Sequence, residues 1–304
     1  MTSYFRKHFF RFAVPAAASF CAFAIVAVVV MITANIIILG APHISWEFIT
    51  QPPRAGMTQG GIFPAIIGTF LLVIIMSIAG VPIGTVTALY LAEYVSKKSI
   101  IVKFIRFAVN TLAGIPSIVF GLFGLGFFIR FVGKGMDSLL TPGEMIRWGQ
   151  PNIMWASLTM AILTLPVVIV SVEEAIRAVP RELREASLAL GATRWETIRN
   201  LVLPNSVTGI LTGAILAISR GAGEVAPILF TGAAYFLPHL PHSLNDQFMH
   251  LGYHIYIMST QSPDVDATRG IQFATTLVLL ALTFSLSFIA IVLRFHLRRK
   301  IIRL

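Results

Sequence analysis

Long apolar runs separated by short polar segments dominate the chain. Six runs reach the roughly 20 residues that a helix needs to cross the hydrocarbon core of a bilayer. They cover about residues 13–40, 61–91, 107–131, 153–172, 207–236 and 271–293. The pattern predicts an all-α integral membrane protein with six transmembrane helices. Three connections are long. Residues 41–60 are rich in Pro, Gly and Thr. Residues 132–151 carry Lys134, Asp137, Glu144 and Arg147. Residues 237–269 carry His239, His242, His250 and His254 with Asp246, Asp264 and Asp266.

The stretch 180–204 breaks the apolar rhythm. Pro180 suits a first helical position, where its missing amide hydrogen costs nothing. Leu183, Ala186 and Leu190 then recur at helical spacing, with Glu182, Arg184 and Glu185 on other faces. Gly191 can take the left-handed conformation that a C-terminal cap needs. Thr193 and Glu196 have the spacing of a capping box and start a second helix. Trp195, Ile198, Leu201 and Val202 give it an apolar face, and Pro204 is expected to end the unit. The segment reads as a helix–turn–helix presented to water, with its elbow at Gly191.

Lysine and arginine decide which side that is. Arg6, Lys7 and Arg11 precede the first span; Lys97, Lys98, Lys103 and Arg106 lie between spans two and three. Arg177, Arg181, Arg184, Arg194 and Arg199 lie around the polar unit, and Arg294, Arg298, Arg299, Lys300 and Arg303 close the chain. The opposite side has only Arg54, Arg130, Lys134, Arg147 and Arg269. The positive-inside rule puts both termini and the polar unit in the cytoplasm. The first apolar run is too long for a signal peptide and lacks a small-residue cleavage site, so it is expected to remain as an anchor. Residues 1–60 then form the anchor and an extracytoplasmic loop, 61–296 the membrane domain, and 297–304 a basic cytoplasmic tail.

Composition narrows the class further. The 304 residues are 56% hydrophobic and 12% charged, and mean hydropathy is +0.83; soluble domains carry about 25% charged residues. Membrane lipid is therefore an obligate partner. The formal charge of +10 sits at span ends, without an aromatic and basic platform for nucleic acid. One cysteine, Cys21, excludes an intrachain disulfide.

Pro82 and Gly84, Gly114 and Pro116, Pro166, and Gly221, Gly223 and Pro227 interrupt the apolar runs. Interrupted spans expose backbone groups that only protein or a water-filled cavity can satisfy. They suit a translocation path, although kinked packing alone also uses Gly and Pro. Arg220 and Glu224 lie four apart in the fifth run, on one face of a helix. A charge at mid-membrane costs roughly 2.5–3.5 kcal/mol on insertion scales and marks a functional candidate. A guanidinium matches the oxygens of an anion such as phosphate, and a neighbouring carboxylate can hold it when empty. A structural ion pair is the alternative.

Glu185, Ala186, Ser187, Gly191, Leu201, Leu203 and Pro204 resemble the EAA loop of ATP-binding-cassette import permeases. That pattern is Glu-Ala-Ala, three residues, Gly, nine residues, Ile, one residue, Leu-Pro. Here Ser187 replaces the second alanine and Leu201 the isoleucine. The resemblance implies a type I importer permease with a MetI-like core across 61–296, and a coupling helix within 180–204 that docks on a separate ATPase. A narrower resemblance rests on GGIFPAIIGT (60–69), LAGIPSIVFG (112–121), VEEAIRAVPRELREASLALGATRWETI (172–198) and AISRGAGEVAPILFTG (217–232). These are similar to PstA-type subunits of phosphate importers, and Gly-Glu-Val-Ala-Pro at 223–227 favours that type over its PstC-type companion.

The resemblance implies phosphate import, with Arg220 and Glu224 on the substrate path and Tyr90–Tyr94, including Glu93, in gating or packing. It implies a PstC-type permease, a PstB-type ATPase dimer and a PstS-type extracytoplasmic binding protein as partners in a bacterial inner membrane. The chain would bind no cofactor and be no enzyme itself, the ATPase using ATP and Mg. The absence of a Gly-x-x-x-x-Gly-Lys-Ser/Thr loop agrees. Other oxyanions (sulfate, molybdate, phosphonate) stay open, as does a stand-alone ion-coupled carrier, which would need more titratable groups at span centres. The four histidines fit no standard metal spacing and read as a solvated interface loop.

Overall fold

The computed structural model describes residues 2–54, 57, 59–95, 99–140, 146–262 and 265–301. Lys97, Lys98, Glu144, Asp264 and Arg303, named above, lie outside the described residues. Among the described residues, six helical segments are long and apolar enough to cross a membrane: Ala13–His43, Phe63–Tyr94, Ser117–Leu140, Ile153–Arg177, Arg194–Gly221 and Thr268–His296.

The first is α1 (Thr2–Gly40), closed by a 3-10 turn at Ala41–His43. It packs chiefly on the last helix and leaves its hydrophobic face open, with Phe20, Phe23 and Met31 all exposed. The two backbones come close at Gly40, where a Cβ would stand 2.7 Å from the Phe273 carbonyl. A short α2 (Trp46–Thr50) and a two-stranded hairpin, β1 (Pro53–Arg54) with β2 (Gln59–Gly60), lead into α3 (Phe63–Leu89). That helix ends in a π turn at Tyr90–Tyr94.

The third span is not one rod. α4 (Ile100–Gly114) stops, Ile115 and Pro116 are extended, and α5 (Ser117–Phe123) begins anew. Proline removes one donor and pushes its predecessor out of the helical region, and Gly114 weakens the last turn. The expected run 107–131 is therefore split, and the crossing starts at Ser117. It widens into a π-helical stretch over Gly124–Gly133 and ends in α6 (Lys134–Leu140). Pro82 and Pro166, by contrast, stay inside continuous helices.

α7 (Ile153–Arg177) is the spine, two-thirds buried along its most apolar stretch. After it come α8 (Arg181–Ala189), α9 (Arg194–Thr197), a π turn at Ile198–Val202 and α10 (Leu203–Gly221). The main packing of α7 is against α3 and α10. Leu72 and Met76 of α3 meet Met160 and Leu163 of α7, with Ile228 and Phe248 closing the cluster. Small residues set how close these helices run. A Cβ on Gly84 would lie 2.6 Å from Cγ1 of Val168, and one on Gly209 would overlap Ala175. In lipid no water is released by burying such faces, so close contact carries the association. Gly209→Val should destabilise the α7–α10 crossing by ~1–3 kcal/mol. A lower midpoint in thermal unfolding of the detergent-solubilised protein would register it.

Past α10 the chain departs from expectation. The fifth run does not continue to Phe236. It breaks at Ala222, turns through Gly223 and Glu224, and makes only one helical turn, α11 (Ile228–Thr231). Segment 232–250 folds back over the ends of the spans near Asn152, with Ala233 bridging Phe248 and Asn152 N–H donating to the Thr231 carbonyl at 2.9 Å. α12 (Leu251–Thr260) packs on α13 (Val265–Ile301), the last span.

Candidate functional site

The polar unit has the shape its sequence dictates, with three local differences. Pro180 is the residue before α8 rather than its first residue, at φ −56° and ψ 142°. The first helix then closes on Gly191, at φ +90°. Gly191 N–H donates to the Leu188 carbonyl at 3.0 Å and Ala192 N–H to the Ser187 carbonyl at 3.2 Å. This is the paired closure of a Schellman motif, whose first donor, here Gly191, must be left-handed. Both halves of the Thr193–Glu196 capping box are formed. Thr193 N–H donates to Glu196 Oε2 at 2.7 Å, and Glu196 N–H to Thr193 Oγ1 at 3.3 Å.

Pro204 does not end the unit. It sits in the first turn of α10, and the helix runs through it from Arg194 to Gly221. The π turn just before it lets the backbone accommodate a residue without a donor. Trp195 also lies off the expected apolar face: it is 53% exposed, whereas Thr197, Ile198 and Val202 are buried. Ser187 links the two helices, its hydroxyl 2.9 Å from that of Thr197. Glu185 and Ala186 are exposed, Ser187 half-buried, and Leu203 and Pro204 half-buried at the root of α10. Four apolar side chains, Leu183, Leu188, Leu190 and Trp195, are exposed on this otherwise polar tip, Leu190 at 89%.

The unit is tied to its neighbours by ionic contacts the sequence pattern did not pair. Arg184 reaches Glu93, at the end of the second span, with Nη2 at 2.9 Å from Oε1. The same guanidinium donates to the Ile176 carbonyl at 2.6 Å and to that of Val179. Arg194 donates to the Glu93 carbonyl and lies 5.3 Å from the centre of the Tyr94 ring. Glu173 of α7, buried, joins Arg106 of α4 and Arg177, the latter at 2.6 Å. Between the second-span end and the unit lies an open groove of about 730 Å³, lined by Arg177, Arg181, Arg184 and Arg194 with Glu93 and Glu185. Partners so distant in sequence leave no periodic trace. Only the excess of charges at span ends hinted at them.

Arg220 and Glu224 do meet, Nε to Oε1 at 3.5 Å. They do so across a helix end, not along one helical face as the spacing suggests. Arg220 is in the last turn of α10, where the partial negative charge of the helix terminus favours a cation. Glu224 follows after Gly223 in the turn. The side chains are 38% and 25% exposed, so the pair borders open space. Gly221 allows the close pass: a Cβ there would stand 2.5 Å from Sδ of Met76. A fork-shaped cation with a carboxylate in reach can exchange that carboxylate for an incoming anion.

The histidines divide. His239 and His242 are exposed, as a solvated loop requires, but His250 and His254 are buried. His250 Nδ1 accepts from Gly252 N–H at 3.1 Å and caps α12. Burial pushes the two imidazoles down, to about 3 and about 4, so both are neutral at physiological pH. Among the described residues no three His, Cys, Asp or Glu side chains group as metal ligands.

Residues 80–303 match the family of binding-protein-dependent transport system inner membrane components. The probable ABC transporter permease protein YqgI of Bacillus subtilis (strain 168) is 34% identical over 281 residues, 88% of this chain and 90% of that one. The phosphate transport system permease protein PstA 1 of Mycobacterium tuberculosis (strain ATCC 25618 / H37Rv) is 34% identical over 246 residues, 79% of this chain and 72% of that one. The fold is also that of a bacterial alginate ABC transporter solved with an alginate-bound periplasmic protein. There the TM-score is 0.62 at 17% identity, over 97% of this chain and 96% of that one. A six-span chain with that helix order and these relatives is an ABC importer permease of the inner membrane, and it belongs to the family of binding-protein-dependent transport system inner membrane components.

Proposed function

We propose that this permease imports inorganic phosphate, forming half of the path together with a second permease subunit of PstC type. An extracytoplasmic binding protein of PstS type delivers the anion, and a PstB-type ATPase dimer, using ATP and Mg, drives the cycle from the cytoplasm. Both chain termini lie on the cytoplasmic side, as the lysine and arginine distribution requires. The reading is supported by relatives named as phosphate transport system permeases, in Mycobacterium and Yersinia among others. The observation that carries it within this chain is the Arg220–Glu224 pair at the broken end of the fifth span. In this reading the ATPase grips the exposed tip around Leu190 and Trp195, with Glu185, Ala186, Ser187, Gly191, Leu203 and Pro204 setting its shape. Apolar side chains standing in water on a polar unit are what a docking partner covers.

Uptake of labelled phosphate by cells carrying the whole assembly tests the substrate. Unlabelled phosphate should compete, and sulfate, molybdate or a phosphonate in large excess should leave uptake unchanged. Competition by one of those anions in place of phosphate would reassign the substrate within the same machine.

A further inference from the structure

Three of the core spans must move together if the coupling unit is to rock the path, and two are joined to it covalently. α7 enters the unit through Ala178–Pro180, and α10 leaves it without a break. The second span is far away in sequence. The main packing of α8 and α9 is against each other and the following π turn, not against that span. Apolar contacts from Leu201 and Val202 reach its end at Leu91 and Val95, but the polar contacts from α8 and α9 converge on Glu93 and its neighbour Tyr94. The Glu93 carboxylate takes Arg184 of α8, through Nη2 at 2.9 Å and Nε at 3.1 Å. The Glu93 carbonyl takes Arg194 of α9, whose guanidinium also covers Tyr94. Each helix of the unit thus holds the same acidic residue.

The contact is also shielded. The side chains of Arg184 and Glu93 are only 17% and 12% exposed. A charged pair held that far from water and fixed at several donors is stiffer than a surface ion pair. Arg184 cannot slide along it, because its other donors grip the Ile176 and Val179 carbonyls at the end of α7. One guanidinium therefore ties the second span, the fourth span and the coupling unit at a point.

We propose that Glu93 is a positioning residue for transport: it latches the inner end of the second span to the 180–204 unit, so that ATP-driven displacement of the unit moves spans two, four and five as one body. This rests on the coupling reading of that unit. Without the latch the ATPase still docks and hydrolyses ATP, but its stroke reaches the second span incompletely.

The test uses the whole assembly in membrane vesicles, with labelled inorganic phosphate, measuring anion moved per ATP hydrolysed and ATPase co-purification. Glu93→Gln should keep the ATPase bound and hydrolysing while phosphate moved per ATP falls roughly 5-fold or more, the span of ordinary site-to-site coupling. Glu93→Asp, which keeps the charge, should recover most of it. A wild-type ratio in Glu93→Gln would overturn the latch. So would loss of the ATPase from both Glu93 variants, which would make the contact one of assembly. Failure of the coupling reading has a different signature: a Gly191→Val chain that assembles and transports like wild type, whatever the Glu93 variants do.

Discussion

Gly191→Val is expected to strip the ATPase from the purified assembly while leaving the membrane part folded. The reason lies in one backbone angle. Gly191 sits at φ +90° with nothing within 4 Å of where a Cβ would stand. A side chain there meets no neighbour, so the cost is conformational. A β-branched residue is an outlier in that region, and such strain costs ~1–3 kcal/mol. The chain can relieve it only by opening the two hydrogen bonds that close α8, from Gly191 and Ala192. That swings Leu190 and the capped start of α9 away from each other. Strain of that size corresponds to roughly a 5- to 150-fold loss of the docked arrangement. Gly191→Asn should be far milder, because asparagine tolerates left-handed angles. Co-purification of the ATPase across valine, alanine and asparagine should follow that order. Equal binding by all three would detach the elbow from docking.

Arg220→Gln is expected to abolish most phosphate uptake with the ATPase still bound. Glutamine is close in size and keeps a donor, but loses the charge and the five-donor fork. Hydrogen bonds to charged groups contribute about 1.5–3 kcal/mol, so uptake should fall roughly 10- to 100-fold. Arg220→Lys keeps the charge as a point and should fall between. Glu224→Gln acts in the opposite sense on binding: with the nearby carboxylate neutralised, the guanidinium holds an anion longer. Transport then slows at release while the concentration for half-maximal uptake drops. Rates and half-saturation concentrations for the three variants separate these effects. Normal uptake in Arg220→Gln would make the pair a structural ion pair.

Local chemistry was legible where it is written in neighbouring residues. The capping box at Thr193 and Glu196 and the glycine closure at 191 depend on contacts within a few positions, and both are present. The count of six spans also agrees, though the third and fifth have other bounds than their apolar runs. Hydropathy alone could not decide which breaker breaks. Pro82 and Pro166 lie inside packed helices whose partners fix the backbone, whereas Gly114 with Pro116, and Gly221 with Gly223, leave the chain free to turn. Pro204 looked like a terminator because a proline is read against an ideal α-helix, and the π turn at Ile198–Val202 removes that premise. The burial of His250 and His254 was hidden because their apolar stretch, Phe248–Met258, is too short to cross a membrane and lies between polar segments. Only its folding back onto α13 puts them inside. The Glu93–Arg184 and Arg106–Glu173 contacts join residues far apart in the chain, and no window of sequence holds both partners.

In the proposed cycle the unbroken helix from Arg194 to Gly221 would act as a lever. At 1.5 Å per residue it is roughly 40 Å from the elbow's second helix to Arg220. Tilting such a rod by about 5° about its Arg194 end swings the far tip by roughly 3–4 Å. The guanidinium and the Glu224 carboxylate stand 3.5 Å apart. Glu224 rides on the turn beyond the tip, not on the rod. In the proposed cycle the tip's displacement is as large as the gap between the two charges, so a tilt too slight to reshape the bundle would be enough to exchange the carboxylate for an anion, provided the turn that holds Glu224 stays packed in place.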